Sequence, residues 1–156
     1  MGKTTAKEAV FAVLRKKFFV RKSEDNYNNE IGIPCVVLGI DPMDKHVDSS
    51  FKKTRFILEV IKSLWLVYGY PKSRYPSALV LELGADKPRD IAYLVEFLKP
   101  YLAVGVVPTV GPIHLNAGQF SSVAAIEQEK GILVEALPAQ GWAVLNKDDP
   151  ATQRMA

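Results

Sequence analysis

Gly2-Lys3-Thr4-Thr5 has the form of the closing half of a phosphate-binding loop, which in full runs Gly-x-x-x-x-Gly-Lys-Ser/Thr between a buried strand and a helix. Amides exposed at a helix start, with a lysine and a hydroxyl beside them, suit a triphosphate and its magnesium ion. The bland alternative is a basic terminus with a capping threonine. Glu82 interrupts an apolar run, Ala78 to Leu83, just before Gly84-Ala85. A buried carboxylate needs a partner. At the carboxyl end of a strand it would face the phosphate loop, where magnesium takes an oxygen ligand; otherwise it is an acid on a solvated strand edge. His114 follows the turn Val110-Gly111-Pro112-Ile113 and is either a ligand at that same sheet edge or a structural histidine. His46, in a polar loop near Asp44 and Asp48, has less claim. Lys130, between Glu127, Glu129 and Gly131, reads by itself as a solvated, salt-bridging lysine. Asn26, Asn28 and Asn29 share a loop in which side-chain amides meet a ligand or close Asx turns.

Positioning these residues requires elements, and the periodicity supplies them. Ala6, Val10, Val13, Leu14 and Phe18 recur at helical spacing from Thr4 to about Lys17. Phe18-Phe19-Val20 reads as a short strand and Ser23 to Asn29 as a loop. Glu30 to Ile40 reads as a short helix or turn with Pro34 in its first turn. Phe51 to Tyr68 carries a wide apolar stripe and is expected to be helical. Beyond Tyr70-Pro71 and Tyr75-Pro76 the pattern alternates: strand Ala78–Leu83, helix Asp90–Leu98, strand Leu102–Val107, helix Ser121–Leu137, strand Trp142–Leu145. Strands alternating with helices imply an α/β fold with a mostly parallel sheet flanked by helices, and ligands at the carboxyl ends of its strands. Asp148 to Ala156 reads as a frayed tail or the start of a further element.

Bulk properties narrow the class. A chain of 156 residues, 48% hydrophobic and 24% charged, suits one soluble domain. Its net charge of +3 is small and its charges are mixed, so no nucleic-acid partner is expected. No run approaches the ~18 apolar residues of a membrane span, and Lys3, Lys7 and Glu8 interrupt any signal-like segment. No membrane partner is expected. Cys35 is the single cysteine, which excludes an internal disulfide and fits a reducing, cytoplasmic setting.

Taken in order, Gly2-Lys3-Thr4-Thr5, Asn26 to Pro34, Leu81-Glu82-Leu83-Gly84-Ala85, Gly111-Pro112-Ile113-His114-Leu115, Glu129-Lys130-Gly131 and Asn146-Lys147-Asp148-Asp149-Pro150 form a series. That series resembles the central ATP-binding domain of the Mur ligases. The nearest branch is the one that joins D-alanyl-D-alanine to the UDP-N-acetylmuramoyl tripeptide in peptidoglycan synthesis. The resemblance covers nearly the whole chain except a helical insertion at about 44–76. It implies a P-loop NTPase-like domain and ATP-dependent amide-bond formation, with ATP and Mg2+ as cofactors and a UDP-muramoyl peptide as partner. By resemblance, Gly2, Lys3, Thr4 and Thr5 bind the ATP phosphates, and Thr4, Glu82 and His114 hold magnesium. Lys130 corresponds to a lysine that the family carbamylates, and Asn28 and Asn29 line the substrate side. Pro108-Thr109 stands where the family has Thr-Asn, and Asn116 where it has an acid.

The resemblance also implies that residues 1–156 form a single, partial central domain. It would lack the family's first strand and the flanking domains, and would be inactive alone. A strand edge left open in this way leads to the expectation of a homo-oligomer. The alternatives are a folylpolyglutamate-synthase-like ligase and a non-catalytic remnant that binds phosphate or a partner.

Overall fold

The computed structural model describes residues 2–24, 27–39, 61, 75–99, 102–111 and 119–156, and in them helices and short strands alternate. The order is α1 (Lys3–Leu14), β1 (Val20–Lys22), α2 (Gly32–Leu38), β2 (Ala78–Val80), α3 (Asp90–Leu98), β3 (Val104–Val107), α4 (Val123–Glu135), β4 (Trp142–Leu145) and α5 (Pro150–Gln153). Strand β1 pairs parallel with β2, Val20 opposite Ala78. Strand β3 pairs parallel with β4, Val104 opposite Trp142 and Val107 opposite Leu145. Parallel neighbours need long crossovers, so the α/β expectation holds.

The chain divides into two compact units, Met1–Ala9 with Glu82–Ala156, and Val10–Leu81. In the first, α3 buries Ile91, Leu94, Val95 and Leu98, spaced to form one apolar stripe. Asp90 steadies its start by accepting from the amides of Asp86 and Lys87 at 3.0 and 2.9 Å. Ser122 caps α4 by accepting from the amide of Ala125 at 3.1 Å. Ile91 and Val95 join Ala85 and Ala136 in a core onto which Leu83, Leu102, Ile132 and Leu133 pack. Gly105 lets β3 approach that layer closely, because a Cβ there would lie 3.2 Å from Leu137 Cδ1.

In the second unit the β1–β2 ladder is extended at both ends. The Ser77 amide donates to the Phe19 carbonyl at 2.8 Å and the Ser23 amide to the Val80 carbonyl at 2.9 Å. Helix α2 buries Ile33, Cys35 and Val36 and ends at Gly39, whose φ of 74° is the left-handed stop that glycine favours. Arg21 adds bonds at that end, donating to the Val36 and Val37 carbonyls at 2.9 and 3.1 Å.

Several boundaries differ from those the sequence suggests. Strand β1 is Val20–Lys22 rather than Phe18–Val20, because the Phe18 amide still donates to Leu14 in the last turn after α1. Strands β2 and β3 are shorter than Ala78–Leu83 and Leu102–Val107. The final residues are not a frayed tail: Asp149 caps α5 with Pro150 in its first turn, and Thr152 is fully buried. The expected helix at 51–68 lies outside the described residues apart from Ile61, as does most of the 44–76 segment.

Candidate functional site

Helix α1 begins directly after Gly2, whose φ of 88° suits a residue without a side chain. The start is also tight, since a Cβ on Gly2 would lie 3.3 Å from Pro108, which follows β3. Lys3, Thr4 and Thr5 therefore occupy the first turn of a helix whose amino end abuts the carboxyl end of a strand. Thr4 and Lys7 lie three residues apart and share a face of α1. Glu82 meets both: Thr4 Oγ1 donates to Oε1 at 3.3 Å, and Lys7 Nζ lies 3.5 Å from Oε2. The side chains of Lys7 and Glu82 are only 3% and 14% exposed. Glu82 is thus a partnered carboxylate two residues beyond β2, not an acid on a solvated edge. No motif assigns Lys7 a role, and its readable signal is the spacing from Thr4.

A second cluster gathers at the carboxyl ends of β3 and β4. Lys130, half-buried on α4, donates to the Thr109 carbonyl at 2.8 Å. Burial pushes its amine below the usual lysine range, and the nearby charge of Lys3 adds to the effect against an opposing pull from Asp149. Glu127 and Glu129 are not its salt-bridge partners. Glu127 takes Arg154 through two contacts at 2.8 and 2.6 Å. Glu129 is buried and accepts from the amides of Arg89 and Ile91 at 2.9 and 2.7 Å, closing the start of α3. It fastens Arg89, whose φ of 76° is the strained left-handed region.

Asp149 ties the two strand ends together. It accepts from Thr109 Oγ1 at 2.5 Å and the Val110 amide at 2.7 Å, and its other oxygen accepts from the Ala151 amide at 2.9 Å. These bonds, the Thr109 hydroxyl first, hold its carboxyl down at about 2. Asp149 belongs to the Asn146–Pro150 motif, and an Asp immediately before Pro is the readable sign of a helix cap.

Thr4, Glu82, Lys3 and Lys130 all belong to one compact unit. Asn29 closes an Asx turn, its Oδ1 accepting from the Ile31 and Gly32 amides at 3.2 and 2.8 Å. That is the structural alternative named for the asparagine loop. Asn28 is half-buried in the same unit as α2. His114 and His46 lie outside the described residues. Among the described residues no group of three or more His, Cys, Asp or Glu side chains forms a metal cluster. A hydroxyl and a carboxylate oxygen are nevertheless the hard donors that magnesium takes, so the Thr4–Glu82 pair fits that ion. Among the same residues no helix is long and apolar enough to cross a membrane.

Parallel strand pairs alternating with helices define a domain of the α/β class. The model of the Mur ligase middle domain matches residues 71–156, and the chain belongs to that family. It is 33% identical over 155 residues to the UDP-N-acetylmuramoyl-tripeptide--D-alanyl-D-alanine ligase of Mycobacterium tuberculosis H37Rv, a match spanning 99% of this chain and 23% of that one. To the enzyme of the same name from Escherichia coli K12 it is 28% identical over 148 residues, or 95% and 25% of the two chains. The fold is shared with a crystal structure of MurF from Acinetobacter baumannii, at a TM-score of 0.68 and 22% identity over 99% of this chain and 26% of the other. The chain spans about a quarter of the length of the curated relatives it matches.

Proposed function

We propose that this chain supplies the phosphate- and magnesium-binding part of an ATP-dependent ligase that forms amide bonds in peptidoglycan precursor synthesis. Its acceptor would be a UDP-N-acetylmuramoyl tripeptide and its donor D-alanyl-D-alanine. The observation that carries the reading is the opposition of Thr4 and Glu82 at the start of α1, 3.3 Å apart. The relatives of that name support the choice of substrates.

In such a reaction the γ-phosphoryl group moves to a substrate carboxylate, and the incoming amine then displaces phosphate from the acyl phosphate. Magnesium, held by Thr4 and Glu82 and by His114, would neutralise charge on the phosphates. The α1 amides and Lys3 hold and orient the phosphate oxygens. Thr5 extends that first turn. Lys130 has an amine that burial already biases toward the neutral form. The neutral form is the one that adds carbon dioxide to become a carbamate, which adds an anion near Lys3. Asn28 and Asn29 would belong, by the resemblance alone, to the loop that meets the substrate. A cytoplasmic setting completes it, supported by the single, buried Cys35. Self-association belongs to the same reading and is checked by sedimentation.

Calorimetry with Mg·ATP on the 156-residue chain tests the site, alongside Lys3→Ala and Glu82→Gln. Weak, magnesium-dependent binding that both substitutions abolish supports the reading. Binding indifferent to both overturns it. No turnover is expected from these 156 residues alone, because the relatives are about four times as long. ADP release that depends on the muramoyl tripeptide and D-alanyl-D-alanine would overturn that expectation.

A further inference from the structure

Lys7 is an enclosed cation on the same helix face as Thr4, and it shares Glu82 with that hydroxyl. The two carboxylate oxygens are divided between them: Oε1 faces Thr4 at 3.3 Å and Oε2 faces the ammonium at 3.5 Å. Lys7 has a second anion within reach, Glu8 Oε1 at 3.7 Å, whose side chain is 45% exposed. One ammonium therefore stands between an enclosed carboxylate and a solvated one.

We propose that Lys7 is the resident counter-ion of Glu82, a positioning residue that holds the carboxylate toward Thr4 and that a divalent cation must outcompete. The inference rests on the reading of Thr4 and Glu82 as magnesium ligands. Its physical basis is simple. A carboxylate that is 14% exposed needs a positive neighbour when no metal is bound. Once a doubly charged ion arrives on the Thr4 side, the ammonium becomes a like-charge neighbour and lowers the affinity of the site. Glu8 gives the displaced ammonium a partner in solvent, so it need not leave α1. Lys7 thereby sets how much divalent cation the site requires.

The experiment measures Mn2+ binding to the full 156-residue chain by the electron paramagnetic resonance signal of the free ion. Lys7→Met should bind Mn2+ roughly tenfold more tightly than the parent, on the scale of a single nearby charge in a partly screened site. Lys7→Arg, which keeps the charge, should bind like the parent. Glu82→Gln should abolish binding in every background. Tight binding that survives Glu82→Gln overturns the underlying reading and this inference with it. Binding lost in Glu82→Gln but unchanged or weakened in Lys7→Met overturns the role of Lys7 alone. A wild-type measurement removes any dependence on whether the variant folds. As magnesium is added, the nitrogen-15 signal of Lys7 should shift with the same midpoint as the carbon-13 signal of the Glu82 carboxylate. A Lys7 signal that stays still while Glu82 moves overturns the proposal.

Discussion

Two lysines of one unit are held in opposite ways. Lys7 is almost fully enclosed and set against the Glu82 carboxylate. Lys130 is half-buried and donates to a neutral acceptor, the Thr109 carbonyl. Beside Lys130 the available acid, Asp149, is engaged by the Thr109 hydroxyl and two backbone amides. Lys7 thus faces an opposite charge. At Lys130 burial disfavours the charged form and holds the amine below the usual lysine range. Two helices therefore hold the same side chain differently, α1 against a carboxylate and α4 against a neutral carbonyl.

The contrast breaks most sharply at Lys7. Replacing it with Met leaves Glu82 enclosed without that ammonium, and stability should fall by ~3 kcal/mol in urea unfolding. Magnesium should return part of the loss, since a ligand that binds only the folded state stabilises it. A loss below about 0.5 kcal/mol would place the pair among ordinary surface ion pairs.

A smaller effect is expected at Asp149. Asp149→Asn removes a charge-assisted cap on α5 and weakens the tie between the ends of β3 and β4, at a cost of about 1–2 kcal/mol. Because the folded value, about 2, lies below the ordinary 3.8, the stabilisation is complete above 3.8 and is lost as pH falls toward 2. Thermal melts across that window should show the parent losing stability and the Asn variant losing less.

How much of this was legible in the residues varies with the kind of signal. Helix Asp90–Leu98 and strand Trp142–Leu145 match the structure to the residue, because their apolar periods end where the pattern ends. The first strand slipped by two residues, since Phe18 and Phe19 carry β-forming side chains yet are both exposed, 46% and 60%. Glu82 was legible as a charge inside an apolar run. Lys7 and Glu129 were not, because a charged residue on a helix ordinarily faces water, and only tertiary packing decides otherwise. Asp149 was visible within a motif, but its bond to Thr109 joins residues forty apart.

The finest test follows the Lys130 amine by nitrogen-15 resonance. Its midpoint should lie below that of exposed lysines, so stability should rise as pH climbs from that midpoint to the ordinary lysine value. Lys3→Ala should move the midpoint up, by removing a like charge, and Asp149→Asn should move it further down, by removing an opposing one. A midpoint that neither substitution moves would show that burial alone sets it.

The parallel ladders have a consequence for the chain while it is being made. Val20 finds its partner only when Ala78 has been synthesised, and Val104 only when Trp142 has. At about 5–20 residues per second, the first strand waits roughly 3–12 s with its backbone groups unpaired. During that interval it is an open edge beside the exposed rings of Phe18 and Phe19. The arrival of a distant partner is therefore the expected slow step in acquiring this fold, and nascent chains stalled before residue 78 should be the species that chaperones hold.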